Sequence, residues 1–319
     1  MNIAILTSGG DCSGMNPAIK RFVEYSYEKG YTPYFVYNGL EGLIDNQIKQ
    51  ATYKDVSGII FRGGTIIKSS RSKRWYDKTY RQIAYNNLKK HNIELLIVLG
   101  GDGSFRALDI FYHEFNIPFM GIPATIDNDI ALNDYSLGVD TALNVIRDAI
   151  DDIRDTASSF KRAFVIEVMG RECGYLALTS AIANGAEMCL IPEKKFNLNK
   201  LKKRYLKEIN NGRDYFISIV AEGLNITNEI KEWFEKEIGF EARVTILGHI
   251  QRGGNPTVFE RLMANKFITN AIDKSIDNPN KIVTFYKNKF ILRNIDEITQ
   301  NNYKLNKNML KLAKPLMGG

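Results

Sequence analysis

Two aliphatic runs constrain this chain more than any other feature. NIAILT (Asn2–Thr7) and IELLIVLG (Ile93–Gly100) are each short, almost wholly apolar, and followed at once by a glycine-rich turn and an amphipathic helix. A strand buried on both faces reads as a continuous aliphatic run, and strand–turn–helix units in series predict parallel strands joined by crossover helices. After the first run comes the loop Ser8–Gly14. The helix that follows is expected to have Asn16 as N-cap, Pro17 at its first position, Ile19, Phe22 and Val23 inward, and Gly30 as its stop. After the second run comes GGDGS, Gly100–Ser104, then a helix carrying Phe105, Leu108, Phe111 and Phe115 at a period of three to four. A third strand, Pro118–Ile122, runs into ATIDNDI.

The second half repeats this style without repeating the sequence. AFVIEVMG (Ala163–Gly170), MCLIP, YFISIVAEG (Tyr215–Gly223) and RVTILGHI read as strands. Gly174–Gly185, Lys200–Ile209 and about Val258–Ile276 read as helices, the second with Leu201, Tyr205, Leu206 and Ile209 inward. No fixed repeat period and no Pro/Ser-rich linker interrupts the chain. The expected class is α/β, with two Rossmann-like parallel-sheet domains. Ligands of such folds sit beyond the C-terminal strand ends, where the glycine loops lie.

Composition narrows the function classes. The 319 residues suffice for one large or two medium domains, and 44% hydrophobic with 25% charged residues is ordinary for a soluble globular protein. No apolar run approaches the roughly 20 residues of a membrane span, and MNIAILTSGG lacks the basic start of a signal peptide. Cys12, Cys173 and Cys189 lack metal-ligand spacing and read as free thiols of a reducing compartment, so a cytoplasmic location is expected. The net charge of +7 raises the question of nucleic acid, but KRWYDKTYR mixes signs and NKLKKRYLKE places its charges at helical spacing. A solvated helix face accounts for the latter, and neither a nucleic-acid nor a membrane partner is expected. The positive bias can instead steer a small polyphosphate.

Three groups of residues carry chemistry. Ser8–Gly14 lacks both the Lys-Ser/Thr ending of a Walker A loop and the G-x-G-x-x-G spacing, so it is a strand–glycine–helix turn able to hold phosphate, or a tight turn only. Gly100-Gly101-Asp102-Gly103-Ser104 is more telling, because a structural turn explains its glycines but not its central acid. Backbone there can approach a phosphate, and the acid can hold Mg²⁺. Arg162, Met169-Gly170-Arg171, Arg243, His249 and Arg252 fall at strand ends or in loops, and arginine suits bidentate phosphate contacts. Glu222 ends the strand FISIVAE, where it can hold sugar hydroxyls or pair with a cation. Asp127 and Asp129 flank one asparagine. Asp and Asn are common turn residues, but two like charges this close also suit a metal ion or a proton-transfer task. Together these groups describe phosphoryl transfer, with one aspartate as base and the other serving the metal.

TSGGD, RGGT (Arg62–Thr65), GGDGS, TIDNDI, VMGREC, AEG and LGHIQRGG resemble, in order and spacing, the bacterial 6-phosphofructokinase family, from about residue 3 to residue 270 and more loosely to the C-terminus. The resemblance implies the phosphofructokinase fold, with an ATP-binding domain of residues 1–138 plus 251–301 and a fructose 6-phosphate-binding domain of residues 139–250 plus 302–319. It implies transfer of the ATP γ-phosphoryl to the 1-hydroxyl of fructose 6-phosphate, with Mg²⁺, by a homotetramer that shares its sugar-phosphate sites between subunits. Asp127 matches the general base, and Asp102 and Asp129 the magnesium-associated acids. Gly10, Arg71, Gly101, Gly103 and Ser104 match the donor site, and Thr125 and Arg171 transition-state or sugar contacts. Arg162 and Arg243 match residues that reach the sugar phosphate from a neighbouring subunit, and Met169, Gly170, Glu222, His249 and Arg252 same-subunit sugar contacts.

The departures are informative. Ala124 replaces the family's usual glycine, while pyrophosphate-using relatives typically have lysine there and aspartate at Gly103, so Gly103 argues for ATP. Leu40 and Tyr76 stand where tyrosine and arginine usually meet the adenine. At the family's second, effector site Arg154, Gly185, Glu187 and Arg213 keep its character and Lys20 replaces an arginine. Glu24, Tyr53 and Asn211 replace usually basic residues, and Tyr215 a common histidine, so weakened effector control is expected, with Arg21 and Lys54 as neighbouring cations that could compensate. The rival readings are a pyrophosphate-dependent enzyme of the same fold, another GGDG-type kinase, and a catalytically silent sugar-phosphate-binding subunit.

Overall fold

A computed structural model describes all of residues 1–319. In chain order the strands are β1 (Asn2–Thr7), β2 (Thr32–Val36), β3 (Ile48–Gln50), β4 (Ile93–Gly100), β5 (Phe119–Pro123), β6 (Ala163–Val168), β7 (Met188–Leu190), β8 (Phe216–Ala221), β9 (Ala242–Ile246), β10 (Lys281–Tyr286) and β11 (Lys289–Asn294). The helices are α1 (Met15–Glu28), α2 (Gly39–Ile44), α3 (Lys78–Lys90), α4 (Asp102–Phe115), α5 (Val139–Phe160), α6 (Tyr175–Ala183), α7 (Leu198–Asn210), α8 (Thr227–Trp233), α9 (Val258–Lys274), α10 (Ile295–Thr299) and α11 (Lys307–Ala313). They form two compact units. One comprises Met1–Ile126, Ile130–Thr141 and Arg252–Tyr303; the other Asp127–Asp129, Ala142–Gln251 and Lys304–Gly319. The chain passes from one unit to the other after Thr141, Gln251 and Tyr303, and the short segment Asp127–Asp129 groups with the second unit.

The first unit is built on a seven-stranded sheet in the order β11-β10-β5-β4-β1-β2-β3. Its five inner strands are parallel, as the aliphatic runs predict, and its two edges are antiparallel. Neither edge strand announces itself as a buried run: two of the three residues of β3 are polar, and β11 carries Lys289 and Arg293. The β10–β11 hairpin turns on Lys287 and Asn288, both at positive φ (49° and 60°), the backbone of a two-residue primed turn. Phe105, Leu108 and Phe111 of α4 pack with Leu96, Val98 and Ile282 of the sheet in one buried cluster, while Phe115 lies at its margin.

Asn16 corrects one expectation. The cap of α1 is Gly14, without a side-chain bond. Asn16 lies one residue inside the helix, and its amide donates to the carbonyls of Arg62 (3.1 Å) and Gly63 (3.0 Å) and accepts from the Ile66 N–H (2.8 Å). It clamps the RGGT loop because a side chain in the first turn faces outward to that loop rather than back over its own helix end.

The second unit holds a four-stranded, wholly parallel sheet in the order β7-β8-β6-β9. Its core is aromatic, with Tyr205, Phe216 and Phe234 all fully buried. Leu201 and Tyr205 form the inward stripe of α7, and Leu206, expected to join them, is exposed, because the next residue lies about 100° further round the helix. No helix of either unit is long and apolar enough to cross a membrane.

Candidate active site

In the first unit the strand order reverses between β1 and β4, which pair in parallel with Leu6 opposite Val98 and Thr7 opposite Leu99. The two glycine loops therefore leave the sheet side by side, at the position where α/β folds bind ligands. Ser8 N–H donates to the Leu99 carbonyl at 2.9 Å. A Cβ on Gly100 would lie 2.6 Å from the Ser104 side chain and 3.1 Å from the Ser8 carbonyl, so only glycine permits this approach. Ser104 N–H closes the second loop on the Gly101 carbonyl at 3.0 Å, and α4 starts at Asp102. Its unpaired N-terminal amides and dipole favour an anion there.

The structure brings most of the predicted donor residues to this point. Thr125 stands beside Gly101, 3.7 Å from where a Cβ would be, and Ala124 N–H donates to the Gly100 carbonyl at 2.9 Å. Gly103 has open space on its side-chain face. The segment preceding Arg71 rides on the first loop, with Ser69 Oγ donating to the Gly9 carbonyl at 2.8 Å, and Arg71 itself is exposed. Arg252 lies over Gly10, its Nη1 donating to the Asp11 carbonyl at 3.3 Å, and a Cβ on Gly10 would collide with that nitrogen at 2.2 Å. Asp102 carries a half-exposed carboxylate that accepts from Arg106 Nε at 2.7 Å. No group of three or more acidic, His or Cys side chains converges into a metal cage. Mg²⁺ is ordinarily held by one or two carboxylates together with substrate phosphates, and a lone carboxylate at the mouth of a phosphate loop fits that mode.

In the second unit three adjacent strands, β8, β6 and β9, present their C-terminal ends together. Asp127 is buried, and Arg171 Nε lies 3.2 Å from its Oδ2. Asn128 between the two aspartates is left-handed (φ 51°), so the segment is a turn and at the same time buries a charge against a guanidinium. Arg171 is itself left-handed (φ 53°), a conformation held from both sides. Glu222 Oε1 accepts the Gly170 N–H at 3.1 Å and the Arg171 N–H at 2.8 Å, while a Cβ on Gly223 would strike the Arg171 carbonyl at 2.1 Å. Gln251, which sequence reasoning passed over, is buried. It accepts the Met169 N–H at 3.1 Å and donates to the Gly248 carbonyl at 3.0 Å, tying β6's end to the exposed His249. Nothing in its local sequence separates it from an ordinary loop glutamine.

Arg162 and Arg243 lie elsewhere. Arg162 precedes β6 and Arg243 is the second residue of β9, so both sit at the N-terminal end of the sheet, where they share Glu241. Six residues of strand separate them from Met169–Arg171, about 20 Å. The effector-type residues of this unit form another cluster: Glu187 Oε1 pairs with Arg213 at 2.5 Å, Glu208 pairs with the same arginine at 2.9 Å, and Arg154 reaches the Asn184 carbonyl and Tyr215. Gly185, Glu187, Arg204, Glu208 and Arg213 line a cavity of about 370 Å³. Lys20 and Glu24, on α1 of the first unit, pair with each other at 2.5 Å. None of the three thiols is an activated nucleophile, since burial pushes Cys173 and Cys189 up to about 12 and Cys12 further still.

A family model described as Phosphofructokinase matches residues 2–274. The chain belongs to the phosphofructokinase family. It is 60% identical over 315 residues to an ATP-dependent 6-phosphofructokinase of Sulfurimonas denitrificans, covering 98% of this chain and 99% of that one. A protein of the same description from Wolinella succinogenes is 52% identical over 318 residues, covering 99% and 100%. Among solved structures, phosphofructokinase from Saccharomyces cerevisiae superposes with a TM-score of 0.89 at 33% identity, covering 94% of this chain and 45% of the longer yeast chain. A pyrophosphate-dependent phosphofructokinase from Marinobacter aquaeolei shares the fold at a TM-score of 0.83 and 18% identity, covering 100% and 92%. The two-sheet α/β architecture expected from the aliphatic runs is the family's fold.

The contact between Gly223 and Arg171 gives a test of the second unit's geometry. Gly223→Ala forces a methyl group into a backbone carbonyl and is expected to cost about 1–3 kcal/mol in equilibrium urea unfolding. A change below about 0.5 kcal/mol, the range of a neutral surface substitution, would show that Arg171 is not held there.

Proposed function

We propose that this chain transfers the γ-phosphoryl group of ATP to the 1-hydroxyl of fructose 6-phosphate, giving fructose 1,6-bisphosphate and ADP. One observation carries the reading: a buried aspartate paired with an arginine, Asp127 with Arg171, two residues along the chain from a threonine set beside the second glycine loop. The hydroxyl oxygen attacks the γ-phosphorus, the bond to the β–γ bridging oxygen breaks, and Asp127 accepts the hydroxyl proton. Arg171 compensates the carboxylate while it is buried and offers its remaining N–H groups to developing phosphoryl charge. Gly10, Gly101, Gly103, Ser104 and Arg71 would hold the donor phosphates. Asp102 and Asp129 would hold Mg²⁺, which supplies charge neutralisation on those phosphates when bound. Met169, Gly170, Glu222, His249 and Arg252 would serve the sugar.

ATP rather than pyrophosphate is supported by the open face of Gly103 and by Ala124, which is buried and neutral where a lysine would mark the other donor. Leu40 is buried in the core, whereas Tyr76 is 84% exposed beside Trp75, whose indole N–H donates to the Ala107 carbonyl of α4. Tyr76 is therefore the ring available to a base. Asp127→Ser is expected to lower turnover by about 10²–10⁴ with the apparent affinity for fructose 6-phosphate largely kept. A fall below tenfold would remove Asp127 from the role of base. In the wild type, turnover with pyrophosphate matching that with ATP would overturn the donor assignment.

The remote position of Arg162 and Arg243 supports a shared site in a homotetramer. A sugar phosphate is much shorter than the about 20 Å that separates them from Arg171 along β6, so they serve the site of a neighbouring subunit. Mixing Arg243→Ala chains with Asp127→Ser chains, each nearly inactive alone, is expected to restore activity in up to about a quarter of sites under random assembly. No recovery in mixed oligomers would place the arginines in their own chain's site. The reduced thiols fit a cytoplasmic enzyme.

Effector control is read as weakened. Arg213 is already neutralised by two carboxylates, Lys20 by Glu24, and the neighbouring Arg21 by Glu28 at 2.9 Å. An anionic effector must displace these partners, and each lost charge-assisted contact removes about 1.5–3 kcal/mol. Fructose 6-phosphate saturation curves with and without phosphoenolpyruvate are expected to coincide within about twofold, below typical allosteric coupling. A sigmoidal rightward shift reversed by ADP would show a working site.

A further inference from the structure

Glu260, in the first turn of α9, is fully buried, yet the reaction makes no use of it. Its Oε1 accepts the Tyr135 hydroxyl at 2.7 Å and the Gly138 N–H at 2.7 Å, and its Oε2 accepts the Thr141 N–H and hydroxyl, both at 3.2 Å. All four donors belong to Tyr135–Thr141, the stretch by which the chain leaves the first unit. A buried charge costs several kcal/mol unless it is fully hydrogen-bonded, and an apolar residue of similar volume often does as well for stability alone.

The glycine loop after β1 rests on what Glu260 holds. A Cβ on Gly14 would lie 2.8 Å from Glu260 Oε1 and 2.8 Å from Leu137 Cβ. Cys12 Sγ donates to the Leu137 carbonyl at 3.1 Å, and a Cβ on Gly138 would come within 2.4 Å of Cys12 Cβ. Ser13 Oγ donates to the Gly253 and Gly254 carbonyls at 2.9 and 3.0 Å, in the segment that leads into α9. The base of the loop thus has two supports, and both lead to the helix that carries Glu260. Its crest, Gly10 and Asp11, lies under Arg252.

We propose that Glu260 is a positioning residue that sets the height and orientation of the donor-phosphate loop by fixing Leu137–Thr141 beneath it. This rests on the reading of Ser8–Gly14 as a donor loop. Glu260→Gln is nearly isosteric, but each oxygen accepts one backbone N–H, of Gly138 or of Thr141, that can only donate, so in either amide orientation an –NH₂ meets an N–H. The Leu137–Thr141 stretch must move away, and Cys12 and Gly14 move with their seat.

The test is calorimetric binding of MgATP to the full-length protein, alongside steady-state kinetics and thermal unfolding. Glu260→Gln is expected to weaken MgATP binding by about five- to twentyfold, the scale of one or two lost hydrogen bonds. KM for fructose 6-phosphate and kcat at saturation are expected to stay within about threefold, since the residues assigned to Asp127's chemistry are untouched. A purely structural role would lower the unfolding temperature and leave MgATP affinity of the folded protein unchanged, and that result overturns the proposal. If Glu260→Gln does not fold, Thr141→Val, which removes one of the four donors, decides the matter: a two- to fivefold weakening is expected, and unaltered affinity overturns it. Wild-type protein that binds fructose 6-phosphate but not MgATP would instead overturn the donor-loop reading on which the proposal rests.

Discussion

The parallel pairing of β1 with β4 is the constraint on which the first unit of this protein depends. Neither strand carries a catalytic group. Each is an aliphatic run that must be buried on both faces, and burying both in one sheet at the point of order reversal puts Ser8 against both Leu99 and Gly100. The loops cannot then avoid each other, and only glycine lets two backbones run so close. The meeting of the two glycine loops is a by-product of hydrophobic burial: the chain folds to hide Ile3, Ile5, Leu96 and Val98, and in doing so brings two sets of backbone amides and a helix N-terminus to one place.

The second unit follows a different rule, that of compensated charge. Asp127 is buried and meets the Arg171 guanidinium; Arg171 takes a left-handed backbone that Glu222 and Gly223 maintain; Met169 is pinned by the buried Gln251. In each case one polar group is oriented by another, Asp127 by Arg171, the Arg171 backbone by Glu222 and Met169 by Gln251. Such networks are costly when half-made and rigid when whole. Glu222, which reads from sequence as able to hold sugar hydroxyls or pair with a cation, is found holding the backbone on which Arg171 stands.

Much of this was legible beforehand. The central strands read as continuous aliphatic runs, α4 carries Phe105, Leu108 and Phe111 at helical spacing, and the motifs GGDGS and TIDNDI stand out in the sequence. Two of the misses share a cause, that their signals are not local. The edge strands β3 and β11 are short and half-polar and exist only because a neighbour offers them hydrogen bonds. Asn16 looks like a cap by residue type but is drawn inside α1 by the RGGT loop. Leu206 has the right chemistry for a core and the wrong angle on its helix.

By itself the sequence determined the α/β class and the membership in the phosphofructokinase family, because burial patterning and motif spacing are properties of neighbours along the chain. Only the tertiary structure decided which of those residues meet. It placed Arg252 over Gly10, paired Arg171 with Asp127, set Arg162 and Arg243 at the far end of their sheet beside Glu241, and gathered four donors on Glu260 from more than a hundred residues away. The physical reason is that side-chain pairing depends on strand order and register, which are settled by the burial of the whole core and not by any local run of residues.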